Sequence, residues 1–99
     1  MDLFLAAFPD AKWPEILALS SATAKGRVFH ALTRGTWVAG EHLASIGGFD
    51  YRTRVSRLRD LNIPVDALPS LTGSPCYRYS IPTAFLMAYE EKLNERRTA

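Results

Sequence analysis

Between Thr23 and Gly35 the apolar positions Ala24, Val28, Ala31 and Leu32 recur at the spacing that lines one face of an α-helix. Thr23 stands where a hydroxyl can accept from the free N–H groups of a first turn, and Gly35 where a left-handed residue closes a last one, so the pattern predicts a helix over residues 24–34. Trp37 and Val38 follow as a brief extended segment, enough for one rung of a small sheet. Leu43 and Ile46 predict a second helix over residues 40–46, with Ala44 small enough for a neighbour to approach closely and Ala39 a poor cap. Gly47 and Gly48 then permit a sharp turn. Residues 51–61 form the next helix, with Tyr51, Val55, Leu58 and Leu61 on one stripe and Arg52, Thr53, Ser56, Arg57 and Asp60 opposite. Asp50 is expected to cap its start, Asn62 to take the left-handed position at its end, and Pro64 to stop it.

Past this helix the period changes. Ile63, Pro64 and Val65 read as a short strand and residues 66–75 as a polar loop. In residues 76–81 Tyr77, Tyr79 and Ile81 alternate with Cys76, Arg78 and Ser80, the signature of a strand with one covered face. Pro82 opens a last helix, with Phe85, Leu86, Tyr89 and Leu93 on its stripe and Arg96 and Arg97 at the end that favours cations. Before residue 23 the signals are short: a capped turn after Asp2 pairing Leu3 with Ala7 and Phe4 with Phe8, stopped by Pro9, and a second short helix over residues 13–20. The fold class expected is mainly α with a small β-wing (α+β), a winged helix-turn-helix over residues 23–81 with an N-terminal helical extension, 1–22, and a C-terminal helix, 82–99.

Composition narrows the setting. A chain of 99 residues with 47% hydrophobic and 22% charged side chains makes one ordinary globular domain. Its net charge of +2 hides an asymmetry, because residues 25–81 carry eight basic and four acidic side chains and the two ends four basic and six acidic. The single cysteine, Cys76, excludes an intrachain disulfide and a cysteine-rich zinc site. No segment approaches a membrane span, and Asp2 stands where a signal peptide needs positive charge, so a cytoplasmic protein is expected, with no membrane partner. His30 and His42 fall on different helices without a carboxylate or thiolate cluster, and no paired carboxylates, phosphate loop or nucleophile elbow occurs. Neither a metal site, a cofactor, a small-molecule ligand nor an enzyme is expected.

The candidate chemistry lies in the arginines. Arg52, Arg54, Arg57 and Arg59 fall within eight residues of one helix. An arc of Arg52, Thr53, Ser56 and Arg57 suits nucleic acid, because a guanidinium forks onto guanine and hydroxyls reach phosphates or groove edges. A solvated surface helix is the alternative reading. Arg54 and Arg59, at the margin of the apolar stripe, could contact phosphate, pair with Asp50 or Asp66, or be solvated; Tyr51 could bond phosphate or join the core. Thr72, Ser74 and Arg78 in the wing, and Lys25 and Arg27 near the start of the first long helix, are candidate backbone contacts.

From about Gly26 to Ile81 the chain resembles a small winged helix-turn-helix family found largely in phages and prophages. The family's third helix ends in a pattern like R-[IV]-S-x-L-R-x-x-G-x-P-I, matched here by Arg54-Val55-Ser56-Arg57-Leu58-Arg59-Asp60-Leu61-Asn62-Ile63-Pro64-Val65, and its aromatic strand by Tyr77-Arg78-Tyr79. Asn62 replaces the usual glycine, and Ala39 the usual cap of the second helix. The resemblance implies a double-stranded DNA-binding protein, a transcriptional regulator or accessory factor in a bacterial cell or phage-infected host, with the third helix in the major groove and the wing on the backbone. One such domain covers few base pairs, so dimerisation or repeated loading is expected, a homodimer through the apolar ends Leu3 to Phe8 and Phe85 to Leu93; packing within the monomer is the alternative. The competing function is a protein-interaction module that binds a host or viral partner through Leu3, Phe4, Trp13 and Tyr89.

Overall fold

The computed structural model describes residues 8–98. Its elements run α1 (Trp13–Leu17), α2 (Ala24–Leu32), β1 (Val38–Ala39), α3 (Gly40–Gly47), α4 (Tyr51–Asp60), β2 (Asp66–Pro69), β3 (Tyr77–Ser80) and α5 (Thr83–Thr98). The fold is a mixed α+β arrangement in which helices pack around a small antiparallel sheet of three strands in the order β1-β3-β2. The turn expected before Pro9 lies, apart from Phe8, outside the described residues.

Local chemistry explains most boundaries. Thr23 is extended and its Oγ1 accepts from the Gly26 N–H at 3.0 Å, the bond expected of an N-cap. α2 ends sooner than its apolar pattern suggested, at Leu32, and Gly35 takes its positive φ of 77° in the following turn. α1 likewise stops at Leu17. α4 closes as a complete Schellman turn: Asn62 sits at φ 63°, its N–H reaches the Arg59 carbonyl at 2.9 Å, and the Ile63 N–H reaches the Leu58 carbonyl at 3.3 Å. Leu58 and Ile63 are both buried, supplying the apolar contact that accompanies this motif.

Asp50 does not cap α4 as expected. It has φ −86° and ψ 19° in place of an extended backbone, and its side chain makes no capping bond. The turn is tightened by the backbone, with Gly48 at φ 84° and the Tyr51 N–H donating to the Gly48 carbonyl at 3.1 Å. The strand expected at residues 63–65 is also displaced. Ile63 and Val65 are core residues, and pairing begins at Asp66, which faces Ser80, and runs to Pro69, which faces Tyr77. Every residue of β2 is exposed, so no apolar alternation announces it; β3 imposes its register, and edge position tolerates Pro69. The loop of the wing shrinks accordingly to residues 70–76.

The core joins Val28, Phe29 and Leu32 of α2, Leu43 of α3, Tyr51, Val55 and Leu58 of α4, and Tyr79 and Ile81 at the sheet. α3 lies close against α2 because Gly47 has no side chain; a Cβ there would meet Val28 Cγ2 at 2.6 Å. Ile46, expected inward, is only half-buried. On the far side, Phe85 and Tyr89 of α5 close the core: the Phe8 ring meets Phe85 edge-on at 5.0 Å, Trp13 stacks on it at 5.2 Å, and Phe29 meets Tyr89 edge-on at 5.2 Å. Phe85 and Tyr89 are therefore buried inside the monomer, the arrangement that the alternative of packing within the monomer describes, and Trp13 is half-buried against Phe85. The N-terminal segment is further tied down by the Lys12 N–H to the Leu61 carbonyl at 3.0 Å, Asn62 Nδ2 to the Asp10 carbonyl at 2.7 Å, and Arg96 Nη1 to the Leu17 carbonyl at 2.9 Å.

Candidate nucleic-acid interface

α4 is held from behind. Tyr51, Val55 and Leu58 are sunk into the core, while Arg52, Thr53, Ser56, Arg57 and Asp60 are exposed, so burial of one stripe aims the other outward. Two glycines set its first turn. Beyond Gly48, Gly40 gives the Tyr51 hydroxyl its place: a Cβ on Gly40 would lie 2.8 Å from both that oxygen and the Tyr77 carbonyl oxygen. Burial pushes the Tyr51 phenol above its ordinary range, and the neighbouring Cys76 thiol acts in the same direction.

The four guanidinium groups meet different fates. Arg52 Nε donates to the Tyr51 hydroxyl at 3.3 Å, and its charge rests 5.8 Å from the centre of that ring. The bond to Tyr51 raises the Arg52 pKa, so it remains a full cation. Arg54 is half-buried, and its Nε is enclosed with no partner among the described residues. Arg57 comes within 3.7 Å of Asp60, but both side chains are well exposed, at 66% and 63%, and such a pair contributes at most a few tenths of a kcal/mol. Arg59 directs Nε and Nη2 to the Val65 carbonyl at 3.3 and 2.8 Å. The pairing of Arg54 or Arg59 with Asp50 or Asp66 does not form; a backbone carbonyl, reached through the Schellman turn, takes the place of the carboxylate. Three of the four charges are thus unopposed by an acid among the described residues.

The other candidate residues are dispersed. Arg27 is structural, bridging the Ile46 carbonyl at 2.9 Å and the Ser21 carbonyl at 3.2 Å, which staples α2 to the last turn of α3. Lys25, half-buried, lies beside it in sequence. Arg78 points to the outer face of the sheet, over Trp37 at 5.1 Å and bonded to the Pro69 carbonyl at 3.2 Å. Because Arg78 alternates with Tyr79, which packs against Tyr51 of α4, the arginine lies on the sheet face turned away from α4. Thr72 pairs with Ser70 at 2.9 Å, and Ser74 donates to the Glu41 carboxylate, which that bond holds below its ordinary value of 4.5. The loop expected as a wing is therefore fastened to α3. His30 Nε2 is 3.1 Å from the Leu19 carbonyl oxygen, a local contact between helix and loop.

Two aromatic residues escaped the sequence pattern. Tyr77, placed by alternation on the covered face, is 48% exposed, whereas Tyr79, beside the Tyr51 ring, is buried. Phe49 is wholly exposed at the turn before α4. Among the described residues no cluster of His, Cys, Asp or Glu could hold a metal ion, and no helix is long and apolar enough to cross a membrane. No family model, curated protein or solved structure matches the chain.

Proposed function

We propose that the chain is a winged helix-turn-helix protein that binds double-stranded DNA, with α4 in the major groove and the β2–β3 wing beside it on the backbone, acting as a phage- or prophage-type transcriptional regulator or accessory factor in the bacterial cytoplasm. The observation that carries this reading is the outward face of α4: Arg52, Thr53, Ser56 and Arg57 project from a helix whose opposite stripe is locked in the core, and no strong ion pair consumes its cations. The order of elements and the β1-β3-β2 sheet support that reading, with α2, α3 and α4 taken as its three helices. Lys25 at α2 adds a cation for sequence-independent attraction.

Arg57 has the free geometry to fork onto a base edge, and its replacement by alanine costs roughly 1–3 kcal/mol for the preferred site and relaxes specificity. Fluorescence anisotropy at low salt, with random and selected duplexes, tests the proposal. Arg52→Ala together with Arg57→Ala abolishes measurable binding while the melting temperature stays within a few degrees of wild type. No duplex binding by the wild type, or binding that ignores the double substitution, refutes it.

A second reading, a protein-interaction module, is favoured by a different surface from the one the terminal segments suggested. Trp37, Leu71 and Tyr77 lie together around a depression at the base of the wing. Trp37→Ala, which lies outside both α4 and the β2–β3 loop, separates the two readings, since it leaves DNA affinity unchanged and abolishes capture of a protein partner.

A further inference from the structure

Where α4 meets the sheet, Arg52, Val55, Arg59, Ala67, Tyr77 and Tyr79 line a concave seam of about 290 Å³. No carboxylate among the described residues lines it. Its two cations stand seven residues apart on α4, so they share a face and are separated by about 10 Å along the axis. That separation suits a linear polyanion better than a single small ion.

Both cations are braced without being neutralised. Arg52 bonds to a phenol and Arg59 to a backbone carbonyl, acceptors that fix the fork yet carry no formal charge. Arg59 spends Nε and Nη2 on Val65, leaving Nη1 without a partner among the described residues. A guanidinium fixed in advance loses less freedom when it binds an oxyanion. Val55 and Ala67 give the seam an apolar floor, which lowers the local dielectric and strengthens attraction to an anion. Tyr77 stands at the rim as a half-exposed phenol, able to donate one neutral hydrogen bond.

We infer that this seam clamps the sugar–phosphate backbone of one strand of duplex DNA, with Arg52 and Arg59 as its two charged jaws and Tyr77 as a neutral donor at the rim. The inference rests on the DNA-binding reading and divides the labour within it: Arg57 discriminates bases, whereas Arg52, Arg59 and Tyr77 grip without regard to sequence.

The test is the salt dependence of affinity for a selected duplex and a scrambled duplex, with wild type, Arg52→Gln, Arg59→Gln and Tyr77→Phe. Each arginine variant flattens the slope of log affinity against log salt by about 0.9 and weakens both duplexes equally. Tyr77→Phe weakens both roughly two- to tenfold and leaves the slope unchanged, as loss of one neutral bond requires. Arg59 also braces Val65, so thermal melts accompany its variant; Tyr77→Phe removes no internal hydrogen bond among those described and keeps the test open if Arg59→Gln unfolds. Wild type that binds DNA while Tyr77→Phe and Arg52→Gln retain its slope and affinity overturns the clamp alone. So does a loss confined to the selected duplex, which would make the seam a base reader. Failure of wild type to bind either duplex overturns the clamp together with the reading beneath it.

Discussion

Replacing Gly40 with alanine introduces one methyl group where α3, α4 and β3 converge. The new Cβ would lie 2.8 Å from the Tyr51 hydroxyl oxygen, 2.8 Å from the Tyr77 carbonyl oxygen and 3.0 Å from Cys76 Cβ. The carbonyl belongs to a paired strand and cannot swing aside, so the strain falls on the sheet and on the Tyr51 ring. Overpacking of this kind costs about 1–3 kcal/mol, and because Gly40 is the first residue of α3 the better helix propensity of alanine returns little of it, leaving a net loss of about 1–3 kcal/mol. For a domain of this size that lowers Tm by roughly 5–20 °C. Urea unfolding followed by circular dichroism measures it, and Tyr51→Phe added to Gly40→Ala restores part of the loss by removing one of the three contacts. Under the proposed DNA-binding function, affinity falls with it, because Tyr51 braces Arg52. A Gly40→Ala protein as stable as wild type would refute the close approach from which the argument starts.

Asn62→Ala puts an ordinary side chain at φ 63° and removes the bond to the Asp10 carbonyl, so a loss of about 1–2 kcal/mol is expected in urea, whereas Asn62→Gly, which relieves the backbone, loses less. Equal losses for the two variants would deny the left-handed cap. The Ser74 bond lowers the Glu41 pKa, so its stabilisation is complete above the ordinary value of 4.5 and fades as pH falls through the lower folded value. Wild type accordingly exceeds Ser74→Ala in urea midpoint at neutral pH, and the gap narrows in acid to the part that comes from the Cys76 N–H donating to Ser74 Oγ at 3.1 Å; a gap of the same size at both pH values contradicts the assignment.

Short-range chemistry was enough to place Thr23, Asn62, Pro64 and the buried stripe of α4, because a cap, a left-handed residue and a helical period each act within a few residues of chain. That determined the order of helices and the outward display of Arg52, Thr53, Ser56 and Arg57. What the tertiary structure decided are the features that depend on a distant partner. β2 has no apolar face of its own and exists through its pairing with β3. Arg27, equal in sequence terms to any other surface arginine, is drawn to the Ile46 carbonyl by the packing of α2 on α3. Arg78 turns outward because Tyr79 takes the inner face. The seam between Arg52, Arg59 and Tyr77 has no sequence signature at all, since its walls come from separate elements, α4 and the sheet, and tertiary packing buries Tyr79 while Tyr77 on the same strand face stays half-exposed.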